Sequence, residues 1–243
     1  VDGRDEPGHD EIEAIVSLGR QIKIFSGGAM RPVMAGIVPR FERAHGVAVE
    51  IEFRLSAALK QMIEGGAPFD IAVLPRPELD DLAEGDAIAP GSIADVARST
   101  VGLAVRAGAP KPDIGSVDAL RHTLVAARSI AYSDGPSGAY VAGLLAKLGI
   151  AEVVAAKVKL TSGLVAELVA HGEAEIGMQQ IIAILPVAGA ELVGPLPAEL
   201  QNVIIYAAGV SSRADAAAAM AFVTFMRGED AKQLMRANGL DPA

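Results

Sequence analysis

The chain has 243 residues, 51% of them hydrophobic and 4% aromatic, with no cysteine, no tryptophan and a formal net charge of -9. Such a length holds one large or two small domains with ample material for buried cores, and an apolar set made of Ala, Val, Leu and Ile suits parallel strands covered by helices, hence an α/β fold. The acidic balance argues against a nucleic-acid partner, which calls for a basic face, and zero cysteine excludes disulfides, thiolate metal sites and cysteine nucleophiles while leaving the compartment open.

Residues 1–20 read as a polar tail over 1–10 followed by two helical turns over 11–18, stopped by Gly19. The chain begins at Val1 with no charged-then-apolar leader, which fits a cleaved signal peptide or a trimmed start. No apolar run reaches the roughly 18–20 residues that span a bilayer.

Residues 21–25 form the first expected strand, which runs into Ser26-Gly27-Gly28 and a helix with Pro32 near its start, a face of Val33, Ile37 and Phe41, and an end at Gly46. Pro39 is expected to bend this helix. Residues 47–53 alternate as a second strand, Ser56 is expected to cap a helix over 57–64, and 69–74 make a third strand at βαβ spacing. A helix over 78–84 follows, then an extended stretch over 98–106 in which a domain crossing is placed near Thr100.

Farther on, the pattern gives helices over 117–126, 138–148, 163–170, 215–226 and 229–237. Strands are expected over 129–133, 157–160, 175–179, 191–193 and 203–210, with a second crossing near Gln201. The resulting division is a tail over 1–20, a first lobe over 21–100 plus 202–243, and a second lobe over 101–201.

Strand-turn-helix junctions with small residues recur at Ser26-Gly27, Leu55-Ser56, Ser137-Gly138 and Ser162-Gly163. Each helix start presents unpaired N–H groups and about half a positive charge, so four of them aimed at one place would supply about two charges of fixed field, suited to a small anion. Arg54, Arg76 and Arg98 flank apolar strands, where a guanidinium can grip a carboxylate with two parallel hydrogen bonds; a solvated or lobe-bridging role is the alternative. The four histidines show no ligand spacing, the acid pairs Asp80-Asp81 and Glu173/Glu175 read as solvated surface, and the usual hydrolase, kinase and dinucleotide signatures are absent, so no catalytic residue, metal or cofactor is expected.

On its opening strand with Ser26, FERAHGVAVEIEF before Ser56, ALKQMIEGGAPFDIAVL, the Ser137-Gly138 turn and LVAHGEAEIGM leading to Gln179-Gln180, the chain resembles the type II periplasmic solute-binding proteins, in particular the molybdate-binding-protein-like branch of ABC transporter receptors. The resemblance implies two α/β lobes, each a mixed, mostly parallel sheet flanked by helices, joined by two crossing strands and closing on a ligand by hinge motion. It also implies a periplasmic monomer, with a cytoplasmic place left open, that presents its ligand to a membrane permease. Carried over by position, the ligand contacts are Ser26, Gly27 and Ser56 from the first lobe and Ser137, Gly138, Ser162 and Gln180 from the second. Molybdate binders typically carry Tyr where this chain has Gln180, and an amide both donates and accepts where a phenol donates. With the three arginines, this points to a ligand bearing a carboxylate rather than molybdate or tungstate. Two alternatives stay open: an isomerase of a small polycarboxylic acid on the same fold, with Tyr132, Tyr140 or a carboxylate as its base, and the effector-sensing domain of a regulator.

Overall fold

The computed structural model describes residues 21–243, so the expected tail and short helix over 1–20 lie outside the described residues. The chain divides into two compact units, one made of the residues through Ala97 with Ile205–Met235 and Pro242–Ala243, the other of Arg98–Ile204 with Arg236–Asp241.

In chain order the elements are β1 (Gln21–Gly27), a 3-10 turn at Gly28–Met30, α1 (Arg31–His45), β2 (Ala48–Arg54), α2 (Ser56–Glu64), β3 (Ile71–Pro75), α3 (Arg76–Glu84) and β4 (Ala94–Ser99). Next come β5 (Val101–Arg106), α4 (Val117–Ala126), β6 (Ile130–Ser133), α5 (Pro136–Lys147), α6 (Ala151–Val154), β7 (Val158–Thr161), α7 (Val165–Ala170), β8 (Ile176–Gln180), α8 (Ile181–Ile184) and β9 (Ala190–Pro195). The chain closes with β10 (Ile204–Val210), α9 (Ala216–Met226), α10 (Glu229–Ala237) and β11 (Leu240–Pro242).

Six strands in the order β11-β4-β10-β3-β1-β2 form the first sheet. β1 runs parallel to β2 and β3, while β10 pairs antiparallel with β3, so the sheet is mixed. On one face Phe25, Leu74 and Ala207 meet Leu59 and Ile63 of α2 and Leu79 and Leu82 of α3, all buried. α1 buries Val33, Met34, Ile37 and Phe41, the 3.6-residue face legible in the sequence. Pro32 occupies its first turn, and Gly46 ends it at φ 64°, a left-handed conformation that glycine adopts without a Cβ clash.

The second sheet has the order β7-β6-β8-β5-β9, with β6 parallel to β7 and β8 and β5 antiparallel to β8 and β9. Leu103, Leu120, Leu124, Ile130, Leu144, Ile176 and Met178 belong to its main core.

Three differences from the sequence reading have physical causes. The extended stretch expected over 98–106 is two strands of different sheets, β4 and β5, which part at Thr100, and β4 starts at Ala94, ahead of the stretch, because its alternation is too short to mark its own start. α6 and α8 are single turns of four residues, too short to express a 3.6-residue period. β11 has three residues and is held by the edge of the first sheet rather than by its own alternation.

Candidate functional site

Parallel register places Ser26 opposite Phe53 and Val73, and Gly27 opposite Arg54. The carboxyl ends of β1, β2 and β3 thus reach one edge of the first sheet, where the 3-10 turn leading to α1, α2 and α3 all begin. Small anions are bound at such an edge of an α/β sheet, because backbone N–H groups at the helix starts have no intrahelical acceptor. Two of the expected turns meet here: a Cβ added to Gly27 would lie 3.0 Å from the Ser56 Oγ. Beside Gly28 the space is open, with no atom of the described residues, its chain neighbours aside, within 4 Å of the corresponding position.

The local role of Ser56 differs from the expected cap. Leu55, with φ -62° and ψ 137°, is the N-cap of α2, and Ser56 is its first helical residue, with no side-chain capping bond. Its hydroxyl is therefore not consumed by the helix. Ser26 lies within β1, fully buried, and its hydroxyl donates to the Gly27 carbonyl at 3.3 Å.

The three expected arginines are placed differently from one another. Arg76 opens α3 and donates from Nε to Asp80 and from Nη1 to Asp95, each at 2.8 Å, and these two carboxylates raise its already high proton affinity further. Arg54, opposite Gly27, is more than half exposed and pairs with Glu52. Arg98 is exposed on β4. Arg31, which sequence reasoning passed over, opens α1 and places its guanidinium over the Phe53 ring, 4.2 Å from its centre.

The second unit builds a similar edge. Ser133 ends β6 opposite Thr161, the last residue of β7, and shares a 2.8 Å hydroxyl–hydroxyl bond with Ser137 in the first turn of α5. Gly138 packs so closely on the Ser133 carbonyl that an added Cβ would overlap it, which explains the small residue there. Ser162 is exposed in the turn before α7. Gln180 ends β8 and accepts through Oε1 from the Ser99 hydroxyl at 3.3 Å. Its neighbour Gln179, not singled out in the sequence, is buried and accepts from the Val165 N–H at 3.0 Å, so it occupies the start of α7. Adjacent residues of a strand face opposite sides, so a glutamine pair at a strand end carried the signal that one of them points inward. The Tyr140 phenol donates to the Leu200 carbonyl, and Tyr132 packs against the core of its unit.

Cavities of about 490 and 680 Å³ lie in the first and second units. They are lined by residues such as Lys23, Asp70 and Arg213 in one and Arg106, Lys111 and Arg128 in the other, and none of the expected site residues faces them.

One carboxyl group stands out in the first unit. Glu78, in the first turn of α3, has a buried Oε2 with no hydrogen-bond partner among the described residues. Burial raises its proton affinity above the usual carboxylate value, against the pull of Lys60 and with help from Asp81. Burial also pushes the Tyr206 phenol up to about 12, with the Glu78 charge acting in the same direction. Because the folded-state pKa of Glu78 lies above its unfolded value, its stabilising contribution is full below the unfolded value of about 4.3 and is lost as pH rises through the folded one. Glu78→Gln should therefore stabilise the protein relative to wild type more at neutral pH than at pH about 4. Thermal unfolding of both proteins across that range reads the difference, and a gap independent of pH would contradict it.

The family model described as "Bacterial extracellular solute-binding protein" matches residues 22–241. The chain belongs to that family. An aconitate isomerase from Pseudomonas sp. is 31% identical over 229 residues, covering 91% of this chain and 87% of that protein. Among solved structures, the substrate binding domain of a molybdenum ABC transporter from Clostridium difficile superposes with a TM-score of 0.82 at 18% identity, covering 93% of this chain and all (100%) of that one. The periplasmic molybdate-binding protein of Azotobacter vinelandii gives a TM-score of 0.69 at 21% identity, covering 90% and 98% of the two chains. Both units are helix-flanked mixed sheets of the type II periplasmic-binding-protein fold, as expected. The family's extracellular character agrees with the expected periplasmic location. Membership implies a small-molecule ligand and a permease partner of the ABC-transporter type.

Proposed function

We propose that this chain binds a small polycarboxylate at the carboxyl edge of its first sheet and isomerises it by moving a proton. The observation that carries the binding half is the Ser56 hydroxyl, free of any capping duty and packed against Gly27, beside open space at Gly28. Support for the chemical half comes from the 31% identical relative named as an aconitate isomerase, which favours the isomerase alternative over the receptor reading.

Hydrogen-bond donors aimed at a carboxylate stabilise the charge that develops when a proton leaves the adjacent carbon, and a low-polarity surrounding strengthens them. The proton taken from one carbon is returned to another, so no oxidant or second substrate is needed. Glu78 is the base assigned to this transfer: it lies in the first turn of α3, which starts on the same edge as Ser56, and burial raises its proton affinity above that of an ordinary carboxylate. Tyr140 spends its phenol on Leu200, which favours the carboxylate among the candidate bases.

The second reading, a receptor that hands a small anion to a permease, is favoured by the family's description and uses the same anion-binding edge without a base. The polycarboxylate reading predicts heat in calorimetric titrations with di- and tricarboxylates and none with molybdate or sulfate. Tight molybdate binding with no carboxylate heat would overturn the polycarboxylate assignment and leave Arg54, Arg76 and Arg98 as surface residues.

A further inference from the structure

A ligand with several carboxylates needs a cation as well as dipoles, and the arginines expected from the sequence are largely committed elsewhere. Arg76 holds two carboxylates of its own unit, and Arg54 is paired with Glu52. Arg31 forms no ion pair among the described residues. It is the first residue of α1, a helix with no acidic residue in its first turn, and its guanidinium lies over the Phe53 ring. Phe53 is the register partner of Ser26, and the next residue, Arg54, is the partner of Gly27, so Arg31 is held directly beside the Ser26–Gly27 turn.

The position of the cation over the ring matters for recognition. An aromatic face attracts the cation and fixes its plane, while the N–H donors of a guanidinium point outward in that plane. A fork fixed in this way fits the two oxygens of a planar carboxylate, and less of its freedom is lost on binding than for an untethered side chain. A tetrahedral oxyanion makes poorer use of a planar fork.

We propose that Arg31, held against Phe53, grips one carboxylate of the ligand and biases the site toward carboxylates over tetrahedral oxyanions. This rests on the polycarboxylate reading above. Calorimetric titration with trans-aconitate and tricarballylate is the test, on wild type, Arg31→Ala, Arg31→Lys and Phe53→Leu, with thermal unfolding of each variant to show that it is folded. Loss of a charge-assisted bond predicts about ten- to a hundredfold weaker binding for Arg31→Ala. Arg31→Lys should recover only part of it, since an ammonium lacks the fork, and Phe53→Leu should fall between wild type and Arg31→Ala. Wild-type affinity in Arg31→Ala overturns the role of Arg31 and leaves the polycarboxylate reading standing. Unchanged affinity in Phe53→Leu overturns the part played by the ring. No heat from wild type with either acid overturns the reading itself and this inference with it.

Discussion

Replacing Phe41 with alanine should lower the free energy of unfolding by about 3–5 kcal/mol, the range for deleting a large aromatic side chain from a packed core. Phe41 is fully buried on the inner face of α1. Its ring meets Phe222 edge-on at 4.9 Å and Phe225 at 5.6 Å, both on α9, and stacks on His45 at 4.5 Å. The chain has only six phenylalanines, so this one contact gathers half of them and joins the early helix α1 to the late helix α9. Truncation leaves a cavity bounded by aromatic rings that cannot collapse without moving one of the helices. Urea unfolding should show a midpoint well below wild type with the slope retained. A loss under about 1 kcal/mol would mean that the surroundings refill the space, contrary to close packing here.

Ser56→Ala should weaken polycarboxylate binding by about 1.5–3 kcal/mol, the net worth of a hydrogen bond to a charged acceptor, while leaving the unfolding midpoint nearly unchanged. The two halves of this expectation have separate causes. Binding suffers because the hydroxyl beside Gly27 is removed from the anion-binding edge. Stability is spared because Leu55, not Ser56, is the N-cap of α2, and alanine is a good residue for a first helical turn. Ser26→Ala removes a buried hydroxyl whose bond to the Gly27 carbonyl is long at 3.3 Å, so it acts on the neighbouring residue of the same turn. Calorimetry and thermal unfolding on the same samples separate the two quantities. Normal affinity in Ser56→Ala would place the ligand elsewhere.

Most of the fold was legible because its signals are local. The face of α1, its stop at Gly46 and the span of α4 follow from apolar spacing and turn chemistry, and all three were met. The capping assignment at Ser56 failed by one residue, because serine favours an N-cap in general while here Leu55 adopts the extended conformation that a cap requires. That failure is informative, since a serine freed from capping keeps its hydroxyl for another partner. Arg76 was legible as a charge at a strand end but not as an ion-paired one. Asp80 is four residues away on the same helix, a local signal, whereas Asp95 comes from a different element. Arg31 was missed because its partner Phe53 is distant in sequence and is brought over by the parallel pairing of β1 and β2. The orphaned Oε2 of Glu78 is likewise a property of packing around α3 rather than of its sequence neighbours.

Proton transfer on a bound polycarboxylate is tested most directly by incubating the protein with trans-aconitate in deuterated water and following the solution by NMR. Interconversion with the cis isomer, with deuterium entering the carbon skeleton, is the expected result, and both signals should collapse in Glu78→Gln while binding persists. A wild-type protein that binds the acid yet neither converts it nor exchanges its protons would contradict the isomerase assignment and leave a binding receptor in its place.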